Sequence, residues 1–432
     1  MRSPRRPQAP DRPDPVGTPA RRAALRLLTA VLQQGRALEV ALDGAFAGVE
    51  ASADRALARA IVAATLRRLP DLDALIDGAM PKALPDDARA RHVLRLALAR
   101  ALILGTPPHA AIGTALPLVE KGPRRLVHGV LSRLLREGAV LPKEPTLPAP
   151  YAERWASAYG ADTAQAIART LAAEPPTDLS LRDPADTLRL AEALDAASLA
   201  AAHLRTARRG AIGDWPGFDE GAWWVQDLAA SLPARLLGDV QGQAVVDLCA
   251  APGGKTLQLA AAGATVTAVD IAEKRLARLA DNLVRIGLSA EAVVADVRRW
   301  TPRGAVDHVL LDAPCSASGI FRRHPDVLHL KGSRNLGPLL ELQAELLDHA
   351  AGWLPPHGRL VYCVCSLEPE EGEQQVGAFL ARYDNFRLDP IAPTELPAGL
   401  APTAPGWVRT LPSDLADQGG LDGFFIARLA RR

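Results

Sequence analysis

No apolar run in this chain of 432 residues reaches the roughly 18 residues that a membrane-spanning helix needs. The first 22 residues, MRSPRRPQAPDRPDPVGTPARR, contain no apolar stretch either and do not read as a secretory signal. Both absences predict a protein that stays in the cytoplasm, with no membrane partner. Cysteine is scarce. Cys249, Cys315, Cys363 and Cys365 all lie in the second half, none of them in a C-x-x-C pair, and no histidine stands near them at finger-like spacing. No structural metal is therefore expected, and a long cytosolic chain needs no disulfide staples. Free thiols are the default reading, some of them available for chemistry. An excess of either charge is missing as well, since the formal net charge is +1, so basic clusters have to be weighed one at a time. They crowd the first 22 positions and recur at Arg124, Arg125, Arg133 and Arg136, then at Arg322 and Arg323. Taken singly, each cluster reads as a solvated face.

The length calls for two or three domains, and 48% apolar with 23% charged residues is ordinary globular composition. Residues 1–18 are rich in proline and arginine without apolar periodicity and read as a disordered tail. Thr18 followed by Pro19 reads as a capping hydroxyl and a proline at the first helical position. From residue 19 to about 140 the periodicity is helical throughout: Leu25, Leu28 and Leu32, then Leu57, Ile61 and Ala64, then Leu94, Leu98 and Leu102. This predicts an all-α domain of roughly five to seven helices. Four prolines between Pro142 and Pro150 mark a linker over residues 141–150. Residues 151–240 form a small mixed region with a helical stretch after Trp-Trp-Val-Gln-Asp (223–227). From residue 241 to 432, short runs such as AVVDL, TVTAVD, EAVVAD, HVLLDAP and RLVYCVCS alternate with helical stretches. That rhythm predicts a parallel, doubly wound α/β sheet, whose ligands bind at the carboxyl ends of the strands.

Informative residues fall at those ends. DLCAAPGGKT overlaps the tip of AVVDL, and its small residues let the backbone approach a ligand and turn into a helix N-terminus. It is neither a P-loop, because Cys249 stands where the first glycine belongs, nor the dinucleotide fingerprint G-x-G-x-x-G. Asp270, Asp296 and Asp312 close or follow successive strands. Each alone is more often a turn former or cap. In register beside the small-residue loop, they favour a nucleoside-bearing cofactor whose hydroxyls and amino group are hydrogen-bond donors. Asp312-Ala-Pro-Cys315 puts an acid, a rigid turn and a thiol at one strand end, and Cys365 with Ser366 follows the next strand. Cys249 and Cys363 read as buried small residues. Cys315 and Cys365 read as two thiols converging on one crevice.

The motifs CAAPGGKT, DAPCSASG, RRHPD and CSLEPEE, with the terminal DGFFIARL, resemble the RNA cytosine-5 methyltransferases of the Sun type. Residues 19–140 resemble the NusB-like, RNA-binding N-terminal domain of the family's ribosomal branch. The resemblance implies a Rossmann-like methyltransferase domain after a small α+β RNA-binding connector. It implies S-adenosyl-L-methionine as cofactor, held by Cys249, Ala250, Ala251, Pro252, Gly253, Gly254 and Lys255 with Asp270, Asp296 and Asp312. It also implies Cys365 as nucleophile, Cys315 as an aid to release, and small-subunit (16S) ribosomal RNA as the partner. The reaction itself needs an acid near ring N3 of the base, a role expected of Asp312 at its strand tip, and the enzyme is expected to be a monomer. Val364 replaces the threonine common before the nucleophile, and the stretch SDLADQGGL lacks a histidine often found there. Transfer RNA as substrate, a DNA-type enzyme attacking through Cys315, and a non-catalytic RNA-binding assembly factor are the alternatives. Lys255 is the candidate for lowering the pKa of Cys365.

Overall fold

The computed structural model describes residues 17–330 and 335–432, so residues 1–16 of the expected tail lie outside the described residues. The chain divides into two compact units, Met1–Pro148 and Ala149–Arg432. No described helix is long and apolar enough to cross a membrane.

Seven α-helices are described in the first unit: α1 (Thr18–Leu32), α2 (Leu38–Ala45), α3 (Ser52–Arg67), α4 (Leu69–Gly78), α5 (Arg89–Leu102), α6 (Pro108–Ala115) and α7 (Lys121–Arg136). The start of α1 corrects one expectation. Gly17, in the left-handed region at φ 81°, holds the cap position, while Thr18 is already helical and fully buried. A glycine there relieves the steric penalty that a side chain would carry. Helix α5 runs through the core and packs against α1, α3, α4, α6 and α7, which is why even Arg91, Arg95 and Arg100 are buried. Arg91 forks onto Asp77 at 2.7 and 2.8 Å and Arg95 onto Asp73 at 2.7 and 2.8 Å, so α5 is bolted to α4 by two bidentate pairs. His92 sits between them, with Arg95 Nη1 2.9 Å from Nδ1 and the Gln33 amide 3.1 Å from Nε2.

The second unit opens with α8 (Ala149–Tyr159) and α9 (Ala161–Ala172). An antiparallel sheet follows, in the order β2 (Ala196–Ala200), β3 (His203–Thr206), β1 (Thr177–Leu181), β4 (Trp223–Val225), with α10 (Thr187–Leu194) beside it. The connector expected over residues 151–240 is thus α+β, and it belongs to the same compact unit as the sheet that follows. Asp227 caps α11 (Leu228–Arg235) by accepting the Ala229 N–H at 2.9 Å.

Among the described residues the larger sheet has eight strands, in the order β10-β12-β9-β8-β5-β6-β7, with β11 also on β12. Its parallel part is β5 (Ala244–Leu248), β6 (Thr265–Asp270), β7 (Glu291–Val294), β8 (His308–Asp312) and β9 (Arg359–Val364). Helices α12 (Gly254–Ala261), α13 (Glu273–Ile286) and α14 (Gly337–Ala351) connect these strands, and α15 (Glu373–Arg382) follows β9. Val246, Leu311 and Tyr362 bury one face with Leu347 of α14, and Val245, Leu310 and Val361 bury the other with Leu228 of α11. Both faces being covered is what makes the strands read as continuous apolar runs. An all-parallel sheet is not what forms: β12 (Phe424–Arg431) runs antiparallel to β9, and the three-residue strands β10 (Phe386–Leu388) and β11 (Val408–Thr410) pair with β12. The chain leaves β5 for β6 and β7 on one side and returns to β8 and β9 on the other, so the switch point lies between β5 and β8.

Burial, and then the neighbouring Arg95, lower the pKa of His92 to about 4. A histidine whose folded pKa is depressed stabilises the fold above its unfolded value of about 6.5 and loses that contribution as pH falls through 4. Amide protection in residues 89–102, corrected for the pH dependence of intrinsic exchange, should therefore fall between pH 6.5 and 4.5. His92→Gln, which cannot titrate, should flatten that fall. The ceiling is about 3 kcal/mol, at 1.36 kcal/mol per pKa unit. Equal pH dependence in both proteins would refute the assignment.

Candidate active site

Strand β5 delivers Asp247 and Leu248, and then the backbone turns sharply. Cys249 takes a positive φ of 59° and Gly253, at φ 106°, caps α12. A Cβ at Gly253 would lie 2.2 Å from Leu279 Cδ1, so α13 packs against the bare backbone and only glycine fits. Asp270, at the tip of β6, accepts the Ala251 N–H at 3.0 Å and the Ala272 N–H at 2.8 Å, and the Arg275 guanidinium donates to the Ala251 carbonyl. The loop is thereby lashed to the next strand. Beneath it Asp247 is fully buried, with one oxygen accepting from the Thr256 hydroxyl at 2.6 Å and the other without a partner. Burial, helped by Asp312 and Asp270, pushes its carboxyl up to about 7 against the opposing Thr256 hydrogen bond and Lys255 charge.

Across the switch point, Lys255 in the first turn of α12 reaches Asp312 at the end of β8, with Nζ to Oδ2 at 2.7 Å. Burial pulls this ammonium down, but Asp312, Cys363 and Asp247 outweigh it and hold the group above its usual value. Its Nζ also lies 5.3 Å from the centroid of the Phe424 ring. Lys255, expected beside Cys365, is thus committed to Asp312. Cys363 is fully buried within β9, with its sulfur 3.6 Å from Asp312 Oδ1. The Cys315 and Cys365 sulfurs stand 3.4 Å apart. That hydrogen bond, then burial, then the charges nearby, push the Cys315 thiol well above its ordinary range, so it stays protonated.

Ala250, Ala251, Pro252, Gly254, Lys255, Asp312 and Cys365 line one cleft of about 470 Å³. Of the other residues singled out in the sequence, Cys249 and Gly253 shape the loop from behind and Cys315 supports Cys365. Asp270 is occupied by backbone N–H groups, and Asp296 caps the turn after β7 and pairs with Arg298 at 2.7 Å. Sequence reasoning missed the far wall, which includes Trp224, Gln226, His324, Phe424 and, below the loop, Asp247. The Trp-Trp-Val-Gln-Asp run and the Asp preceding Leu-Cys-Ala-Ala-Pro were the available signals. Gln226 accepts from Trp224 Nε1 at 2.9 Å and donates to Gln258 at 2.7 Å.

Arg322 and Arg323 correct a second expectation, because they form no solvated face. Arg322 is fully buried and meets Asp227 at 3.3 Å and Asp422 at 3.4 Å. Arg323 meets Asp227 at 2.7 Å and Asp422 at 3.3 Å while lining the cleft. Asp178, held bidentately by Arg205 at 2.6 and 2.7 Å, accepts the Leu228 N–H at 3.0 Å and extends this network into the four-stranded sheet.

Known proteins share this architecture. The model of the 16S rRNA methyltransferase RsmB/F family matches residues 234–430, and that of the NusB family matches residues 18–136. The chain is 37% identical over 430 residues to a ribosomal RNA small subunit methyltransferase B of Xylella fastidiosa, covering 94% of this chain and 99% of that one. It is 34% identical over 445 residues to the protein of the same name from Klebsiella pneumoniae, covering 95% and 98%. The crystal structure of PH0851 superposes with a TM-score of 0.73 over 95% of this chain and 98% of its own, at 23% identity. A methyltransferase homolog protein from Pyrococcus horikoshii superposes with a TM-score of 0.55 at 26% identity, covering 70% and 98%.

Asp247 generates a test of the site's electrostatics. A carboxyl raised to about 7 in the folded state contributes stability below its unfolded value that is lost as pH rises through 7. Without ligand, Asp247→Asn should therefore gain on the parent as pH rises from about 4 to about 7, by up to about 4 kcal/mol at pH 8 at 1.36 kcal/mol per pKa unit. It should match the parent near pH 4. A variant that is destabilised equally at both pH values would sink this reading.

Proposed function

Because the chain belongs to the ribosomal RNA small subunit methyltransferase B family, we propose that it methylates carbon 5 of a cytosine in 16S ribosomal RNA through a covalent adduct on Cys365. The observation that carries this is the unequal placing of the two thiols. Cys365 lines the cleft, and Cys315 stands behind it at 3.4 Å. The residues present fit S-adenosyl-L-methionine. Ala250, Ala251, Pro252 and Gly254 offer close backbone approach, and the unpartnered, buried oxygen of Asp247 suits a cationic head group. Asp270 acts by holding the loop, and Asp296 remains assigned by resemblance. When bound, this cofactor supplies an electrophilic methyl group.

The chain's own residues account for the rest. Carbon 5 of cytosine is a weak nucleophile until the Cys365 sulfur adds to carbon 6, which breaks the aromaticity and leaves an enamine-like carbon 5. Negative charge then builds at ring N3. The Lys255–Asp312 pair, in which the ammonium donates to the carboxylate at 2.7 Å, is suited to meet it. After methylation the proton on carbon 5 passes to water as the carbon–sulfur bond to Cys365 breaks and the electron pair returns to sulfur. Cys315, kept as a thiol, stands 3.4 Å from the departing sulfur and assists by donating a hydrogen bond to it. The target base has to leave its stack, which favours single-stranded or looped RNA in the cytoplasm. The exposed Arg124, Arg125, Arg133 and Arg136 of α7 give the helical unit a basic face for RNA phosphates.

Single-cysteine variants test the mechanism. Cys365→Ala should abolish both turnover and any protein–RNA species that survives denaturing electrophoresis. Cys315→Ala should form that species and fail to release it. A DNA-type mechanism inverts both results, and an adduct trapped by Cys365→Ala would overturn the assignment. Bisulfite sequencing of 16S RNA from cells with and without the gene identifies the substrate, and unchanged 16S RNA would point to transfer RNA or a non-catalytic role.

The basic face carries its own test. Arg124→Ala with Arg133→Ala should weaken RNA binding and reduce the slope of log affinity against log salt by about 1–2. An unchanged slope would remove α7 from the RNA interface.

A further inference from the structure

Glu371 has no part in the chemistry above, yet it is fully buried between the two cysteine-bearing loops. One carboxylate oxygen accepts the Ser316 N–H at 2.8 Å and the Gln343 amide at 3.0 Å. The other accepts the Ser316 hydroxyl and the Ser366 hydroxyl, each at 2.5 Å. Ser316 directly follows Cys315 and Ser366 directly follows Cys365. A single side chain therefore clamps the residue after each thiol. Glu371 is itself pinned, because the Tyr362 hydroxyl of β9 donates to its backbone carbonyl at 2.6 Å. Two further bonds close the same seam: Gly319 N–H to the Cys365 carbonyl at 3.0 Å, and Leu367 N–H to the Ser318 hydroxyl at 2.9 Å.

We propose that Glu371 is a positioning residue that sets the separation of the two sulfurs and keeps them chemically unequal. The inference rests on the two-thiol reading of the site. The donors to its carboxylate are serine, glutamine and backbone groups, so the geometry is held by a negatively charged acceptor among neutral partners. Its carboxylate also bears on Cys315 directly. After the Cys365 hydrogen bond and burial, Glu371 is a further cause that keeps Cys315 protonated. The groups facing Cys315 are Cys365 from the end of β9, Glu371 from the turn after it and Tyr362 from within β9, which burial keeps neutral. Lys255 and Asp312 face Cys363 instead.

The test compares Glu371→Gln and Glu371→Ala with the parent, as full-length proteins. Gln keeps an acceptor for the Ser316 N–H and removes the charge, whereas Ala removes both. Without RNA, each protein is alkylated with iodoacetamide across pH, and peptide mass spectrometry assigns the label to Cys315 or Cys365. The midpoint for Cys315 should fall by about one pH unit in Glu371→Gln, as for loss of an adjacent like charge. With RNA, kcat should fall about 10-fold in Gln and about 100-fold in Ala, as for misplaced reacting groups, while S-adenosylmethionine affinity stays within about threefold. Partial rescue by Gln with an intact cofactor site supports positioning. An unmoved Cys315 midpoint overturns the proposal, and so does joint loss of melting temperature and cofactor affinity in both variants, which would make Glu371 a folding residue. If the parent methylates no cytosine yet the midpoint shifts as expected, the carbon 5 reading has failed and the coupling of Glu371 to the thiols stands.

Discussion

The ion pair between Lys255 and Asp312 spans the switch point of the sheet, and the rest of the site is arranged around it. Its two halves come from opposite directions of chain travel, one from the helix after β5 and one from the tip of β8. Side-chain exposures of 11% and 28% mean that the pair has left most of its water behind. Such a pair is a poor source of stability, because desolvation offsets much of the Coulomb attraction. Its importance lies in its position: a fixed cation and anion line the cleft where the strand order reverses. Cys363 on one side and the Phe424 ring on the other fill the space that water would take.

Around that pair, buried carboxylates hold loops while exposed surfaces carry little of the design. Asp270 ties down the loop after β5, Glu371 joins the loops after β8 and β9, and Asp227 with Asp422 gathers Arg322 and Arg323. Burial also pushes Asp422 up to about 7, with Asp227 adding to it against the pull of the two arginines. Each carboxylate accepts backbone N–H groups or guanidinium donors, which is how a strand-end loop without regular hydrogen bonds keeps one conformation. The four cysteines divide accordingly. Cys249 and Cys363 pack, Cys315 supports, and Cys365 faces the cleft.

Strands β5 and β6 were legible to the residue, because each is a short run rich in valine and other β-formers between clear turn signals. The helices of the first unit were legible for the same kind of reason, a 3.6-residue period. Strands β10 and β11 were not, since three residues carry no period, and the antiparallel direction of β12 depends on a partner about sixty residues earlier in the chain. Arg322 and Arg323 looked like surface because their partners Asp178, Asp227 and Asp422 lie about 100 to 145 positions away. Long-range ion pairing leaves no local trace. Thr18 was misread by one position because threonine before proline fits both a cap and a first helical turn. The cleft's loop side was visible as motifs; His324 and Phe424 of its far wall lay inside quoted motifs without being singled out, while Trp224 and Gln226 came from a segment whose composition resembles ordinary core.

Gly319 and Gly423 meet backbone to backbone, so close that a Cβ on Gly319 would fall 1.9 Å from the Gly423 carbonyl oxygen. The Gly423 N–H donates to the Gly319 carbonyl at 2.8 Å. This contact presses the segment entering β12 onto the loop that bears Cys315, and β12 itself sits inside the sheet rather than at its edge. Residues 422–431 leave the ribosome after both thiols, the cofactor loop and every other wall of the cleft. During synthesis the protein therefore passes through a stage in which both sulfurs exist but the cleft does not. The cleft can close only once residues 422–431 have been made and have docked on the loop that bears Cys315, and without Asp422 and Phe424 Cys365 would face a site with one wall missing.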